Sequence, residues 1–279
     1  MLLFCVFLLV VATSVQASSR YRYSNGYFVQ GNRNLLIPTT NPLRMGLVEG
    51  KSWQHVHDKI DERQRNGVHM KLIVFLRHGE GTHNVAIEKY GSEAWNSYYC
   101  KLPEYLDAPL TDKGVKQAEE TSKKLNAEIG NGLLLQHVLV SPLERALRTS
   151  IIAYQNQTTK LSIKSIELPR EVLGVDTCDK RRNISEKKLE YREVDFSGFE
   201  SNEDPWWTPD YRESDVELEI RATKFLDFIF SNSSAKSIGV VSHSVFGAAL
   251  LRVVGHREYS LGTAELLPLL IENLPESKL

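Results

Sequence analysis

The stretch Lys71–Asn84, KLIVFLRHGEGTHN, sets the frame in which the remaining residues are read. Leu72–Leu76 is an unbroken apolar run with β-branched residues at its centre, the pattern of a strand buried on both faces. It stops at Arg77-His78-Gly79, and Glu80-Gly81-Thr82-His83-Asn84 follows. A buried strand ending in a cation, an imidazole and glycines sets a polar cluster at the carboxyl edge of a sheet, where open α/β sheets take ligands. Arginine brings a fixed charge and a fork of donors suited to phosphate oxygens, and glycine lets the backbone approach an anion closely. A neutral imidazole in that position can attack phosphorus while the arginine offsets the anion's charge. The plain alternative is a polar loop capped by His78, so partners elsewhere in the chain decide between them.

Working outward, the design recurs. His137–Val140 is a short strand broken by Ser141-Pro142, after which a helix begins with proline near its first turn. Arg145 sits one turn from that start, where unpaired amides and the helix dipole favour an anion, and Arg148 shares the neighbouring face. Ser237–Val241 is a further apolar strand, ending in Ser242-His243-Ser244 before a helical Val245–Val254. Two histidines and an arginine at separate strand ends point to a shared phosphate pocket.

The other elements fit around these. Trp53, Val56 and Ile60 have helical spacing within Trp53–Arg65, and Thr111-Asp112 caps a helix over Val115–Ile129. Ser162–Leu168 alternates as a strand. Ser214-x-x-Glu217 is a capping box ahead of an amphipathic helix reaching Phe230. Ala264–Ile271 is a last strand that Pro268 would confine to an edge. Strands alternating with helices predict an α/β fold: a three-layer sandwich with a mostly parallel central sheet and helices on both faces.

The 279 residues, 42% hydrophobic and 25% charged, suit one large globular domain, and a formal charge of −1 gives no net attraction to nucleic acid or anionic lipid. Residues 18–70 read as an N-terminal extension packed on a main domain, 71–279, with insertions at 85–110 and 175–213. The first insertion carries Trp95, Tyr98, Tyr99 and Tyr105, for which ordinary packing is the default. His55, His57 and His69 lack a cysteine or carboxylate cluster and read as surface residues. Lys180-Arg181-Arg182 is either solvated charge or a grip on the remainder of an anionic substrate. Met1–Ala17 has the length and the Val15-Gln16-Ala17 end of a cleaved leader, though it lacks a basic start. Cleavage after Ala17 implies a secreted or endomembrane-lumen protein, and a cytoplasmic one if the leader does not direct export. In a lumen, Asn156, Asn183 and Asn232 become glycan acceptors. Cys100 and Cys178 are then either one disulfide or two free thiols.

Taken together, the motifs resemble the histidine phosphatase superfamily, also called phosphoglycerate mutase-like. The resemblance rests on Leu76-Arg77-His78-Gly79-Glu80, Thr111-Asp112-Lys113-Gly114, Ser141-Pro142-Leu143-Glu144-Arg145, Arg170-Glu171 and Ser242-His243-Ser244, and runs from about Leu72 to Ile271. No further arginine follows Arg77-His78-Gly79 closely, which favours the smaller, phosphoglycerate mutase-like branch over the acid phosphatases. The resemblance implies that His78 attacks phosphorus to form phosphohistidine, that Arg77, Arg145, His243 and Asn84 surround the phosphoryl oxygens, and that an acid protonates the leaving group. Glu171 in PREVLG is the expected acid, with Glu193 in YREVDF as competitor. It further implies no metal; no cofactor is expected, the expected substrate is a small phosphomonoester, and the charge balance and the cleaved leader predict neither nucleic acid nor a stable membrane partner. Oligomeric state is not legible. Hydrolysis is the expected reaction; a mutase-type transfer and a non-catalytic phosphate-binding protein are the alternatives.

Overall fold

In the computed structural model, which describes residues 19–36, 42–155 and 161–275, the chain runs through seven strands and eight helices apart from short 3-10 turns. In order these are β1 (Tyr21–Tyr23), α1 (Trp53–Arg65), β2 (His69–Arg77), α2 (Thr82–Tyr90), α3 (Ser92–Ser97), α4 (Asp112–Gly130), β3 (His137–Val140), α5 (Glu144–Tyr154) and β4 (Ser162–Ser165). There follow α6 (Ile184–Glu190), β5 (Val194–Asp195), α7 (Asp215–Asn232), β6 (Ser237–Ser242), α8 (Ser244–Val253) and β7 (Leu266–Asn273). The leader through Ala17 and the acceptor Asn156 lie outside the described residues.

One sheet holds all the strands in the order β1-β7-β2-β6-β3-β4-β5. β2, β6, β3, β4 and β5 are mutually parallel, and β7 is antiparallel to both β2 and β1. Successive residues of β2 point to opposite faces. Leu72, Val74 and Leu76 join α1, α4 and α5 through Trp53, Val56, Ile60, Leu125 and Leu147. Ile73 and Phe75 join α7 and α8 through Phe225, Leu226, Phe246 and Leu250. Both faces are therefore covered, which is why this strand is apolar without interruption. The result is the expected three-layer α/β sandwich.

Helix starts follow their capping residues. Thr111 Oγ1 accepts the Gly114 amide at 3.0 Å, and Ser214 forms a reciprocal box with Glu217. The N-terminal segment is tied in by β1 and by Trp53, fully buried, whose Nε1 donates to Glu128 at 2.7 Å.

One expectation changes and one open alternative closes. β7 is not an edge strand, because β1 flanks it; yet β1 reaches only from Asn273 to Ile271, so Pro268, opposite Val74 of β2, has no strand on its outer side among the described residues. The missing amide is tolerated because the edge persists there locally. Cys100 and Cys178 are buried in one small apolar cluster with Trp95 and Ala108, and both are free thiols. Of the other acceptor asparagines, Asn183 is half-buried before α6 and Asn232 is exposed at the end of α7.

Candidate active site

Parallel register brings two strand ends level. Arg77 of β2 pairs with Ser242 of β6, so the residues that follow, His78 and His243, emerge side by side. The His78 amide donates to the Ser242 carbonyl at 3.0 Å, and the two imidazoles lie 5.1 Å apart, centre to centre. β3 ends one position away, and Ser141 beyond it meets His243 Nε2 through its hydroxyl at 2.7 Å. The turn at Ser141-Pro142 then starts α5 and sets Arg145 in its first turn, fully buried.

His78 is held in one orientation. Its Nδ1 lies 2.6 Å from the Gly79 carbonyl oxygen, a contact that requires a proton on Nδ1. Nε2 is then the nitrogen with the lone pair, and Arg145 Nε donates to it at 3.2 Å. Gly79 in turn donates its amide to Thr149 Oγ1 at 3.0 Å, and Thr149, one turn beyond Arg145, donates to the Arg145 carbonyl at 2.6 Å. Gly79 has no room for a side chain, since a Cβ would stand 2.5 Å from the Gly114 carbonyl oxygen.

Arg145 is oriented from its far side. Nη1 donates to the Cys178 carbonyl at 2.6 Å and Nη2 to Asp179 Oδ1 at 2.8 Å. Burial pushes the Asp179 carboxyl up to about 6, against the pull of Arg145. Arg77 donates from Nη1 to the Leu261 carbonyl at 2.7 Å. Burial, followed by the nearby Arg145, holds both His78 and His243 well below the ordinary value of 6.5, so both imidazoles are neutral.

Around His78 lie buried nitrogens with no hydrogen-bond partner among the described residues: Arg77 Nε, His243 Nδ1 and His83 Nδ1. Unpaired buried groups are costly in a folded protein, and Arg77 Nε and His243 Nδ1 mark places that a ligand or water can complete. Asn84, on α2, accepts the Gly81 amide through Oδ1 at 2.9 Å, which leaves its Nδ2 as a donor.

Glu171 arrives from the loop after β4. Its carboxylate accepts the amides of Val172 and Phe246, each at 3.1 Å, and of Val245 at 3.3 Å, so it caps the start of α8 directly beside His243. Arg221 holds its backbone by donating to the Glu171 carbonyl at 2.9 Å. The competitor Glu193 is exposed and precedes β5, the far edge strand. In a parallel strand that position is the amino end, opposite the edge that carries His78.

The structure does not bring Arg181 and Arg182 into this cluster as substrate donors. Arg181 is buried and binds Glu167 at 2.8 Å and the carbonyls of Ser201, Asn202 and Glu203. Arg182 pairs with Glu144 and Glu190, each at 2.7 Å. Their donors fasten the second insertion to the domain, and Lys180 lies over the Trp207 ring. The aromatic residues of the first insertion pack on one another, with Tyr90 and Tyr99 stacked at 3.8 Å.

Among the described residues, Asp176, Cys178 and Asp179 bring three possible metal ligands within 4.8 Å of one another. Arg145 and Arg212 pair with the two carboxylates, so guanidinium occupies the place of a cation. An open cavity of about 600 Å³ lies at the amino ends of β2 and α7's exit, lined by His69, Lys71, Phe230 and Ser233. Its buried cation, Lys71, donates to the carbonyls of Ser233 and Ala235.

Sequence reasoning brought out Arg77, His78, Arg145, Glu171 and His243 but not Ser141, Thr149, Asp179 or His83. Thr149 follows Arg145 at helical spacing, which is a usable signal. Asp179 pairs across 34 positions of chain, which is not.

A profile of the histidine phosphatase superfamily (branch 1) matches residues 73–264. A probable phosphoglycerate mutase of Arthroderma benhamiae is 33% identical over 233 residues, covering 79% of this chain and 69% of that protein. The phosphomutase-like protein 3 of Candida albicans is 32% identical over 271 residues, covering 94% and 82% respectively. Among solved structures, a mycobacterial glucosyl-3-phosphoglycerate phosphatase is 20% identical with a TM-score of 0.45, over 71% of this chain and 92% of that one.

Proposed function

Because the chain belongs to the histidine phosphatase superfamily, we propose that it hydrolyses small phosphomonoesters through a phosphohistidine at His78. The observation that carries this reading is the fixed tautomer of His78: Nδ1 is bound to the Gly79 carbonyl, and the Nε2 lone pair faces the arginine that would bind the incoming phosphoryl group.

In the first step Nε2 attacks phosphorus, the P–O bond to the alcohol breaks, and the leaving oxygen takes a proton from Glu171. Arg145 moves its Nε donor from His78 to a phosphoryl oxygen, joined by Arg77, His243 and Asn84. Donors already aimed at the developing charge lower the barrier without reorganising. In the second step Glu171 takes a proton from water, whose oxygen attacks phosphorus and releases orthophosphate and free His78. Arg181 and Arg182 have no part in either step.

Relatives named as mutases make transfer of the phosphoryl group to a second acceptor the competing outcome. The deciding experiment offers p-nitrophenyl phosphate, glycerol phosphate and 3-phosphoglycerate to the purified chain, follows orthophosphate and phosphate-position exchange, and traps phosphohistidine by alkaline quench. Orthophosphate release and an acid-labile, base-stable phosphoenzyme, both abolished in His78→Ala, are expected. Turnover that survives His78→Ala defeats the reading, and exchange without release replaces hydrolysis with transfer. The leader residues through Ala17 support entry to the secretory pathway, which immunodetection of the chain in medium and endomembranes would test.

A further inference from the structure

His83 is the nitrogen-bearing side chain of the cluster that neither step above employs. It lies in the first turn of α2 and is 7% exposed. Its ring stands 5.6 Å from that of His78, and, together with His243, it makes a trio of buried imidazoles. No hydrogen bond reaches either ring nitrogen among the described residues, and Nδ1 is fully enclosed. An imidazole that only filled space would be expected to find a carbonyl or hydroxyl partner, as His243 finds Ser141.

The surroundings settle which edge of the ring meets a ligand. A Cβ placed on Gly81 would sit 2.7 Å from His83 Nδ1 and 2.8 Å from Cε1. The Nδ1 edge is therefore closed against the Gly81 backbone, and Nε2 is the edge that remains. Burial, then Arg145 and Arg77, holds the ring well below its ordinary value of 6.5, so it is neutral with one N–H to offer. Two arginines nearby leave no reason for a cation there, but a neutral donor beside an oxyanion adds attraction without repelling them.

We propose that His83 is a further substrate-binding residue, its Nε2–H donating to a phosphoryl oxygen held beside His78. This rests on the hydrolase reading, and the ligand class is the tetrahedral or trigonal-bipyramidal oxyanion of phosphorus and its vanadate analogue. Gly81 acts through His83, since the space its missing side chain leaves holds the ring in place.

The test measures kcat and KM for p-nitrophenyl phosphate, inhibition by orthovanadate, and thermal midpoint in wild type, His83→Phe, His83→Gln and Gly81→Ala, with His78→Ala as the reference for chemistry. Phe keeps the bulk and removes the donor, whereas Gln offers an amide near the position of Nε2. His83→Phe is expected to weaken orthovanadate inhibition and kcat/KM by about ten- to hundredfold, the worth of a hydrogen bond to a charged group. Gln should recover most of that loss, and Gly81→Ala should follow Phe. Should Phe fail to fold, Gly81→Ala and Gln carry the comparison. Orthovanadate inhibition in His83→Phe or Gly81→Ala within about twofold of wild type overturns the proposal. If His78→Ala itself keeps turnover, it is the hydrolase reading that fails, independently of His83.

Discussion

Arg145 Nε donates to His78 Nε2 at 3.2 Å while the same guanidinium binds Asp179 at 2.8 Å. Arg145 thus faces the nitrogen that attacks phosphorus in the proposed mechanism, where an arriving oxyanion would draw its donor away. Asp179 and the Cys178 carbonyl hold the guanidinium plane from its far side, so such an exchange would not require it to turn.

Arg145→Lys tests this arrangement. Lysine preserves the charge but lacks the fork that reaches His78, Cys178 and Asp179 together. Loss of an aimed donor should lower kcat/KM by about a hundred- to a thousandfold, with a thermal midpoint well above that of Arg145→Met, which leaves the buried Asp179 only the longer pairing to Arg212 at 3.6 Å. Turnover by the lysine variant near the wild-type rate would remove the guanidinium from the mechanism.

Glu171→Gln and Glu193→Gln separate the two candidate acids. Nitrophenolate leaves without a proton and glycerol does not, so Glu171→Gln should slow glycerol phosphate by about a hundred- to ten-thousandfold. With p-nitrophenyl phosphate the first step should persist, giving a burst of nitrophenol and accumulated phosphohistidine. Glu193→Gln should match wild type on both esters. Equal effects of Glu171→Gln on the two substrates, without a burst, would exclude it as the proton donor.

The parts of this architecture that could be read from sequence are those whose causes are local. β2, β3 and β6 are apolar because helices cover both faces, and α1, α4 and α7 begin where Ser52, Thr111 and Ser214 cap them. His78, Arg145 and His243 were legible because each follows a strand that breaks off into polar residues. β1 was not, since its three residues owe their pairing to Tyr21–Asn273 contacts at the other end of the chain. The charge of Arg181 looks the same in sequence whether it faces solvent or the carbonyls of residues 201–203, and that of Arg182 whether it faces solvent or Glu144 and Glu190. His83 resembles any polar loop residue until Gly81 is seen to close over it.

Arg181→Met should therefore act on stability and not on binding. It leaves Glu167 to Arg170 alone and strands the carbonyls of Ser201, Asn202 and Glu203 in a buried site, a loss of about 1–3 kcal/mol. Urea unfolding should show that decrease, while KM for p-nitrophenyl phosphate at a temperature where the variant stays folded remains within about twofold of wild type. A KM raised by about tenfold or more would return Arg181 to the substrate's anionic remainder.

Acidification should unfold the protein through its buried imidazoles. His78, His83, His243, His137 and His256 are all held below 6.5, in each case chiefly by burial. A depressed histidine contributes stability that is present above its unfolded value and lost as pH falls, because the unfolded chain takes up protons that the folded one refuses. Each such group adds a slope of about 1.4 kcal/mol per pH unit below 6.5 until its folded value is reached. Asp179 opposes them: its folded value is raised from 3.8 to about 6, so between those limits the folded protein holds a proton that the unfolded chain has released. Its contribution increases as pH falls through that window. Five groups against one predict a net loss, so the urea midpoint should drop between neutral pH and about pH 5. Asp179→Asn removes the opposing group and should steepen the decline, whereas His83→Gln should make it shallower. A midpoint that stays level or rises on acidification would show that these imidazoles titrate in the folded protein as they do in the unfolded chain.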